Sequence, residues 1–379
     1  MNARAFARES FGWNLWIMFI GDDNLRAERN NFTAVRLCLS SLVIYTHSYW
    51  ATSGVSGKDD LSSFLGAPVS VFAVDGFFFL SGFLVYPSLL RLVGPGRFLL
   101  ARAARLWPGL IAALVVTVIG GAFITSARGL AYLGGDTAKF LLMNASFLQG
   151  TFNLTGVTCG AEPCVVNGSL WTLPWEARCY GVLAILGWIG LAKPNFMKFL
   201  VLPATLVGAI LWDIPTLQAL VGSVLGSGAV YLLSTADRLW PLFALGTAAY
   251  LYRDRLPLSW IGLAALFGLM LGANALGVGL HVRALFVGYL VLCLGFLTAP
   301  RAAVSGNWPD YSYGMYIYAF PVMMVVQAIG KFQSYWLLGL VTFAVTLPCA
   351  MLSWHLIEKP MLGVSKRVQK RLAPVMASS

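Results

Sequence analysis

Apolar runs long enough to cross a lipid bilayer recur along this chain. Residues 336–354 form one such run, and residues 111–123 with their flanks form another. A helix needs about 20 apolar residues to cross the hydrocarbon layer. Inside lipid, every backbone N–H and C=O must find a partner within the protein, and α-helices provide one. We therefore predict an all-α, polytopic transmembrane helical bundle.

The composition excludes the common soluble classes. Hydrophobic residues make up 58% of the 379 residues and charged residues only 11%, whereas soluble domains carry about 25% charged residues. The net charge of +11 comes from basic residues in short loops, which is the positive-inside pattern. No stripe of basic and aromatic residues lies outside the apolar segments, so we predict no nucleic-acid partner. The predicted partner is the lipid bilayer.

Basic loops predict the orientation of the helices. Residues 91–105 contain four arginines and no acid, so we place this loop, and with it the N-terminus, in the cytoplasm. Residues 198–236 fit one long crossing or two short ones, and two would move every later loop to the other side. We take one net crossing, with room for a re-entrant excursion. This gives about ten spans with both termini cytoplasmic.

The predicted spans are 34–50, 69–90, 108–126, 171–191, one within 198–236, 239–252, 258–275, 283–299, 311–330 and 335–356. The apolar stretch 137–149 is too short to cross and is predicted to be re-entrant or interfacial. The domains are then a cytoplasmic or interfacial N-terminal segment (1–33), a transmembrane domain (34–357) and a basic cytoplasmic tail (358–379). We predict no cleavable signal peptide, because Gly21 and two aspartates follow the short apolar stretch 11–20.

Arg36 and His47 bracket the sequence RLCLSSLVIYTH in the first predicted span. The eleven steps between them make three helical turns and about 20°, so both side chains share one face, about 16 Å apart along the axis. An imidazole titrates near neutral pH and can act as general base for a hydroxyl or a thiol. The alternative is a histidine hydrogen-bonded within the bundle.

Asp75, Glu176 and Arg178 are further ionisable residues in the predicted spans, where charges are costly and point to function. Glu176 follows Pro174 in a first helical turn, which places it near the outer surface at a depth similar to His47. A carboxylate there could orient the histidine. A pair with Arg178 or a solvated carboxylate is the alternative. Asp75 is either an acceptor for a sugar hydroxyl or a helix cap.

Arg102 and Arg105 lie three positions apart, on one face of a helix. Two guanidinium groups so placed suit an anionic ligand such as a phosphate. Charge that merely sets the membrane topology is the alternative.

The chain has six cysteines. Cys159 and Cys164 share a loop predicted to lie outside, where they form either a disulfide or two free thiols. The others lie in apolar helices and are expected to be inert: Cys38, Cys179, Cys293 and Cys349. No histidine or second cysteine pair lies near the loop, so we predict no metal site.

Six segments, in order, resemble motifs of the membrane-bound acyltransferase-3 family. They are R-x10-H in the first span, FFFLSGFL at 77–84, FLLARAARLWP at 98–108, SLWTLPWE at 169–176, FALGTAAYLYRDR at 243–255 and YSYGMYIYAFP at 311–321. The resemblance extends from about residue 31 to residue 360. Members O-acylate carbohydrates of bacterial surfaces, which implies a ten-span core in the bacterial inner membrane.

The resemblance also implies substrates and the residues that handle them. Cytoplasmic acyl-CoA, usually acetyl-CoA, would be the donor, and a hydroxyl of an extracytoplasmic carbohydrate or glycoconjugate the acceptor. His47 matches the family's catalytic histidine, and Glu176 matches the glutamate that ends the SLW motif. Arg36, Arg102 and Arg105 match arginines that contact the coenzyme A phosphates. No metal cofactor is implied.

Within these motifs, Ser81, Trp171 and Tyr316 are candidate substrate contacts, as is Asp75. Ala319 stands where many members have a second histidine, in Y-x-x-H-x-P, so no second essential histidine is expected. No appended hydrolase-like domain is recognised. The membrane domain would complete the transfer itself or hand the acyl group to a separate protein.

The sequence leaves the mechanism and two other protein classes open. His47, oriented by Glu176, would deprotonate the acceptor hydroxyl for direct attack on the thioester, or His47 or a nearby serine would carry the acyl group. A secondary transporter or a flippase for a lipid-linked glycan also fits ten spans with polar residues at mid-depth. A scaffolding protein is the remaining class. The ordered motifs favour the acyltransferase.

Overall fold

The computed structural model describes residues 17–92, 94–148, 150–159, 162–277, 279–299 and 305–371. The helices are α1 Phe32–Ser53, α2 Ser62–Leu65, α3 Val69–Arg91, α4 Pro95–Ala122, α5 Leu130–Leu133, α6 Gly135–Ala145, α7 Leu173–Trp188, α8 Pro194–Phe196, α9 Leu202–Trp212, α10 Pro215–Leu225, α11 Ser227–Leu251, α12 Trp260–Ala275, α13 Gly279–Leu292, α14 Ser312–Gly330, α15 Tyr335–Ser353 and α16 Lys359–Arg371. Two short antiparallel strands, β1 Thr158–Cys159 and β2 Glu162–Pro163, are paired.

Short irregular helices connect or extend these elements. The 3-10 segments are Asp22–Leu25, Ala27–Arg29, Gly168–Thr172 and Ser305–Asn307, and the π-helical segments are Met197–Val201, Cys293–Leu297 and Trp354–Glu358. The structure is therefore helical, as predicted. Residues 1–16 of the predicted N-terminal segment and 372–379 of the predicted tail lie outside the described residues.

Within the described residues, five helices are long and apolar enough to cross a membrane. They are Val69–Arg91, Pro95–Ala122, Pro194–Trp212, Ser312–Gly330 and Tyr335–Arg371. The last is one continuous helix of 37 residues. The chain is thus a multi-pass membrane protein. Helix α1 has 22 residues but carries Arg36, His47 and several serines and tyrosines, so it is less apolar than these five. The count of ten spans stays a prediction.

Connecting segments that were predicted to share a side of the membrane contact one another. At one end, Met18 pairs with Leu258 and Asp22 with Arg253. At the other end, the amide of Asn274 donates to the carbonyl of Leu65 at 2.7 Å. Residues 198–236 form the helix Pro194–Trp212, the short α10 and the start of α11. This arrangement fits one crossing followed by an excursion.

Helix α6, which overlaps the short apolar stretch 137–149, runs back along α4. Its first residues lie near the end of α4, where the Thr137 amide donates to Thr155 Oγ1 at 3.2 Å. At its other end, Trp107 Nε1 donates to the Ala145 carbonyl at 3.0 Å. Trp107 is 15 residues before the end of α4, which is about 22 Å along that helix. Whether this helix is re-entrant or interfacial stays a prediction.

Helix α3 is the central element of the bundle and crosses α11 at very short distance. A methyl group on Gly82 would overlap the carbonyl oxygen of Phe243, and one on Gly246 would overlap that of Phe79. The two backbones are therefore in direct contact, as small residues permit between membrane helices. This contact fixes α3, which carries Asp75 and Ser81, relative to the rest of the bundle.

The crossing provides a test of the packing. We expect Gly82→Ala to lower the free energy of unfolding by about 1–3 kcal/mol, because the added methyl group forces two backbones apart. Gly268→Ala in α12 is the matched control, because no atom lies within 4 Å of the added methyl group, and replacing a helical glycine should raise stability by up to about 1 kcal/mol. Unfolding in detergent measures both, and equal effects would contradict the close crossing.

Candidate active site

A cavity of about 150 Å³ lies among α1, α3, α4, α7 and α14; we call it the central cavity. It is lined by Arg36, Val74, Phe77, Phe78, Leu80, Ser81, Leu84, Val85, Arg102, Arg105, Leu106, Thr172, Leu173, Glu176, Tyr180, Ser312, Tyr313 and Tyr316. The structure therefore brings together all three predicted phosphate-contacting arginines, the predicted catalytic glutamate and two of the predicted substrate contacts. His47 does not line this cavity.

Two acids hold the arginine end of the central cavity together. Asp310 Oδ2 is 3.1 Å from Arg36 and 2.6 Å from Arg105. Glu358 contacts Arg105 on its other side, at 3.2 Å. Sequence analysis missed both acids. The sequence signal that could have identified them is that they are the only acidic residues after Asp254.

The loop residue Asp310 is ionised because cations surround it. Burial by itself would raise the pKa of this carboxyl, but Arg36 and Arg105, with a hydrogen bond from Ser312, lower it to about 2. The carboxylate is thus a fixed negative charge between two guanidinium groups at neutral pH. Its ion pairs hold Arg36 of α1 and Arg105 of α4 in one place.

Among the described residues, Arg102 has fewer polar contacts than Arg36 or Arg105. It has no ion pair within the described residues, and its buried Nε has no hydrogen-bond partner. The buried Nε of Arg36 also has none. A buried guanidinium with unsatisfied donors carries a free-energy cost that an anionic ligand would remove. The arginine end of the central cavity can therefore accept an anion.

Glu176 lies further along the central cavity, among hydroxyl groups. Its carboxylate accepts hydrogen bonds from Tyr180 and, at 3.5 Å, from Ser81. The hydroxyls of Ser81 and Tyr180 are themselves 3.1 Å apart. Arg178 does not pair with Glu176, since its guanidinium donates to the Leu148 carbonyl at 2.6 Å and lies over the Trp175 ring.

The hydrogen bond between Thr172 and Tyr316 closes one end of the central cavity, and His47 lies beyond it. The hydroxyls of Thr172 and Tyr316 are 2.8 Å apart, and the edge of Phe77 packs against Tyr316. On the far side, the half-buried His47 ring packs against Phe320, with centroids 4.9 Å apart. The imidazole makes no hydrogen bond to any described residue.

The predicted depth of Glu176 is wrong. Gly168 packs against Phe320, so His47 lies at the level of Gly168. Glu176 is eight residues further along the 3-10 segment and α7, roughly 12–14 Å deeper. The prediction placed the helix start at the surface, but the 3-10 turn before Pro174 begins the descent earlier. Glu176 therefore lies on the arginine side of the Thr172–Tyr316 hydrogen bond.

Asp75 is part of a separate buried ionic cluster. It is 1% exposed and contacts Arg283 at 2.9 Å and Arg238 at 3.5 Å, beside a cavity of about 40 Å³. The predicted substrate contact Trp171 lies under the Arg238 guanidinium, 5.5 Å away, and does not line the central cavity. Sequence analysis missed both arginines, although each lies at the edge of a predicted span.

Within the described residues, no group of histidine, cysteine or acidic side chains could hold a metal ion. Ala319 packs among apolar residues with Ile44, Met315 and Ala350. Cys164 is disulfide-bonded. The side chain of its predicted partner, Cys159, lies outside the described part of the chain.

The comparison with known families matches this architecture. The family model described as an acyltransferase domain, that of acyltransferase-3, matches residues 29–355. The range includes the central cavity, its arginines and His47. The protein belongs to the acyltransferase-3 family of membrane acyltransferases.

Two relatives are similar over nearly their full length. An O-acetyl transferase of Shigella phage Sf6 is 27% identical over 343 residues, covering 88% of this chain and 96% of the relative. Nodulation protein 10 of Rhizobium leguminosarum bv. viciae is 26% identical over 378 residues, covering 93% and 98%. No solved structure matches the chain significantly.

The Asp310 contacts generate a stability test. Asp310→Asn should lower the free energy of unfolding by about 3–5 kcal/mol, because it leaves two buried guanidinium groups without their shared anion. Asp23→Asn is the control, because the Asp23–Arg26 pair is exposed and such pairs contribute little. Thermal unfolding in detergent compares the variants. Equal stability of Asp310→Asn and the parent would contradict the structural role.

The same ion pairs predict a pH dependence. The pKa of Asp310 is about 2 in the folded protein, against about 3.9 in an unfolded chain. Its stabilisation is therefore complete above pH 4 and is lost as the pH falls towards 2. Between these values the parent should lose more stability than Asp310→Asn, and parallel curves would contradict the shift.

Proposed function

We propose that this protein is an integral-membrane O-acyltransferase that moves an acyl group, in the first instance acetyl, from cytoplasmic acyl-CoA to a hydroxyl of an extracytoplasmic carbohydrate or glycoconjugate. The observation that carries the proposal is the central cavity. It is lined by three arginines at one end and by Glu176 further along, in the direction of His47 on helix α1. Membership of an acyltransferase family and a relative named O-acetyl transferase support it.

The arginine end suits the phosphate groups of coenzyme A. Arg102 offers unused donors, and Arg36 and Arg105 are held beside it by Asp310. Guanidinium groups bind phosphate oxygens with paired hydrogen bonds, and a fixed orientation lowers the entropic cost of binding. We assign Arg102 to direct phosphate contact and Arg36 and Arg105 to the surrounding positive field.

The remaining cavity suits the pantetheine arm and the thioester. The arm would pass Ser81 and Glu176 and end at the Thr172–Tyr316 hydrogen bond. Movement of the Tyr316 side chain would join this end to the space beside His47. The acyl-CoA molecule would then itself span the axial distance from Arg36 to His47, which is about 16 Å.

The chemistry divides between the two sides of Tyr316. His47 takes the proton from the acceptor hydroxyl as its oxygen attacks the thioester carbonyl. The carbon–sulfur bond breaks, and the departing thiolate receives the proton from the His47 imidazolium, which restores the neutral imidazole. Because Glu176 lines the central cavity together with the arginines, we assign it to the pantetheine arm of the donor rather than to orienting His47.

We further propose ten crossings with both termini cytoplasmic, in the inner membrane of a bacterium. The loops that contact one another at each end of the bundle, and the arginine-rich segment 91–105, most of which forms the start of α4, support this orientation. It places the arginines where cytoplasmic acyl-CoA enters. The end of α1 beyond His47 then faces the carbohydrate.

Replacing His47 tests the reaction. His47→Gln should lower acetyl transfer to cell-surface polysaccharide by at least about 100-fold, because general-base catalysis contributes that much, while acetyl-CoA binding stays as in the parent. Radiolabelled transfer and equilibrium binding on purified protein measure the two. Transfer that persists in the variant would exclude the role. A parent that binds no acyl-CoA would point to a transporter or flippase instead.

Replacing Arg102 tests the donor site. Arg102→Ala should raise the Kd for acetyl-CoA by about tenfold or more, because a charge-assisted hydrogen bond to phosphate contributes about 1.5–3 kcal/mol. Arg178→Ala is the matched control, since Arg178 bonds a backbone carbonyl outside the central cavity. Dephospho-CoA, which lacks one phosphate, should show a smaller difference. Equal Kd values in both variants would contradict the assignment.

A further inference from the structure

Four aromatic side chains and one carboxylate meet at the C-terminal end of α1. Tyr45 and Tyr49 come from α1, Tyr335 and Trp336 from the start of α15, and Asp60 from the loop after α1. We call these five residues the aromatic platform. Trp336 is 62% exposed and Asp60 is exposed. None of them lines the central cavity.

The rings of the platform pack against one another rather than around a space. Trp336 lies 5.1 Å from Tyr45 and 5.2 Å from Tyr335, and Tyr335 lies 5.2 Å from Tyr49, between ring centroids. Cages that bind quaternary ammonium groups instead leave an opening that the cation fills between aromatic faces. This surface is closed and suits a flat ligand.

Asp60 gives the platform a hydrogen-bonding edge. The Tyr335 hydroxyl donates to Asp60 Oδ2 at 2.7 Å, and the Tyr45 hydroxyl donates to Oδ1. A carboxylate has about four acceptor positions, so two remain for a ligand. Aromatic residues that merely anchor a helix at the membrane interface have no need of a shared carboxylate.

We propose that the aromatic platform is a binding subsite for a sugar ring of the acceptor, an inference that rests on the proposed function. A sugar ring has an apolar C–H face, which packs on aromatic rings, and hydroxyl groups at its edge, which donate to a carboxylate. The platform supplies both partners side by side. It also lies at the end of α1 that faces the acceptor in the proposed topology.

The position of His47 determines which sugar unit the platform holds. His47 is two residues from Tyr45 and two from Tyr49, so it lies about 200° around the helix, on the opposite face. A helix with its side chains is about 10–12 Å wide. The unit on the platform is therefore not the unit acylated at His47. The subsite matters for an oligosaccharide and not for a single sugar.

Acceptor length gives the test. The purified full-length protein, in a detergent without a sugar headgroup, is assayed with acetyl-CoA and two acceptors: de-O-acetylated oligosaccharide from cell-surface polysaccharide, and its single sugar unit. Trp336→Ala should raise the KM for the oligosaccharide by about tenfold, with the KM values for the single sugar and acetyl-CoA unchanged. Asp60→Asn should act in the same direction.

The control separates a subsite from a membrane anchor. Phe123 at the end of α4 is 81% exposed and lies outside the platform, and Phe123→Ala should leave every KM unchanged. An equal rise in Phe123→Ala, or an unchanged oligosaccharide KM in Trp336→Ala, would overturn the subsite. So would competition by phosphocholine, which indicates a cation site.

Binding without donor distinguishes failure of the subsite from failure of the proposed function. In the absence of acetyl-CoA, the oligosaccharide should quench the tryptophan fluorescence of the parent. In Trp336→Ala, the oligosaccharide should quench the fluorescence no more than the single sugar does. Quenching without any acetyl transfer would keep the subsite and reject the enzyme. Transfer with no difference in binding between parent and variant would reject the subsite alone.

Discussion

Asp310 lies between Arg36 and Arg105, and the arrangement of the central cavity depends on this contact. Three cationic side chains at one end of a membrane cavity would repel one another and lose hydration. One buried carboxylate with two partners, supported by Glu358, offsets both effects. Because its partners come from α1 and α4, the same contact joins two helices. It leaves Arg102 without an ion pair within the described residues, and the Nε atoms of Arg102 and Arg36 without a hydrogen-bond partner.

The Gly82–Gly246 crossing sets the other boundary of the central cavity. It fixes α3 against α11, and α3 carries Ser81 on one side and Asp75 on another. Asp75 pairs with Arg238 of α11 and with Arg283 of α13, so it adds a second contact between α3 and α11 and ties α3 to α13 as well. Electrostatic contacts and close glycine packing thus share the task of holding polar cavity walls inside an apolar bundle.

The sequence predicted the helical membrane class and six of the residues that line the central cavity, but not the pairings between its charged groups. Apolar runs and motif order are local signals, and they identified Arg36, Arg102 and Arg105. The partners of Arg36 and Arg105 lie more than 200 residues away in sequence, and no periodicity indicates such contacts. Glu176 was placed at the wrong depth because a 3-10 turn before Pro174 has no clear sequence signature. The role of His47 stays a prediction.

The continuous helix Tyr335–Arg371 takes part in both the aromatic platform and the arginine end of the central cavity. Trp336 lies at its start and Glu358 lies 22 residues further on, or about 33 Å away. Pro348 lies between them and interrupts the backbone hydrogen bonding of the helix. The π-helical segment Trp354–Glu358 widens the helix beside Arg105, so the Trp354 ring and the Glu358 carboxylate contact one guanidinium from a single turn.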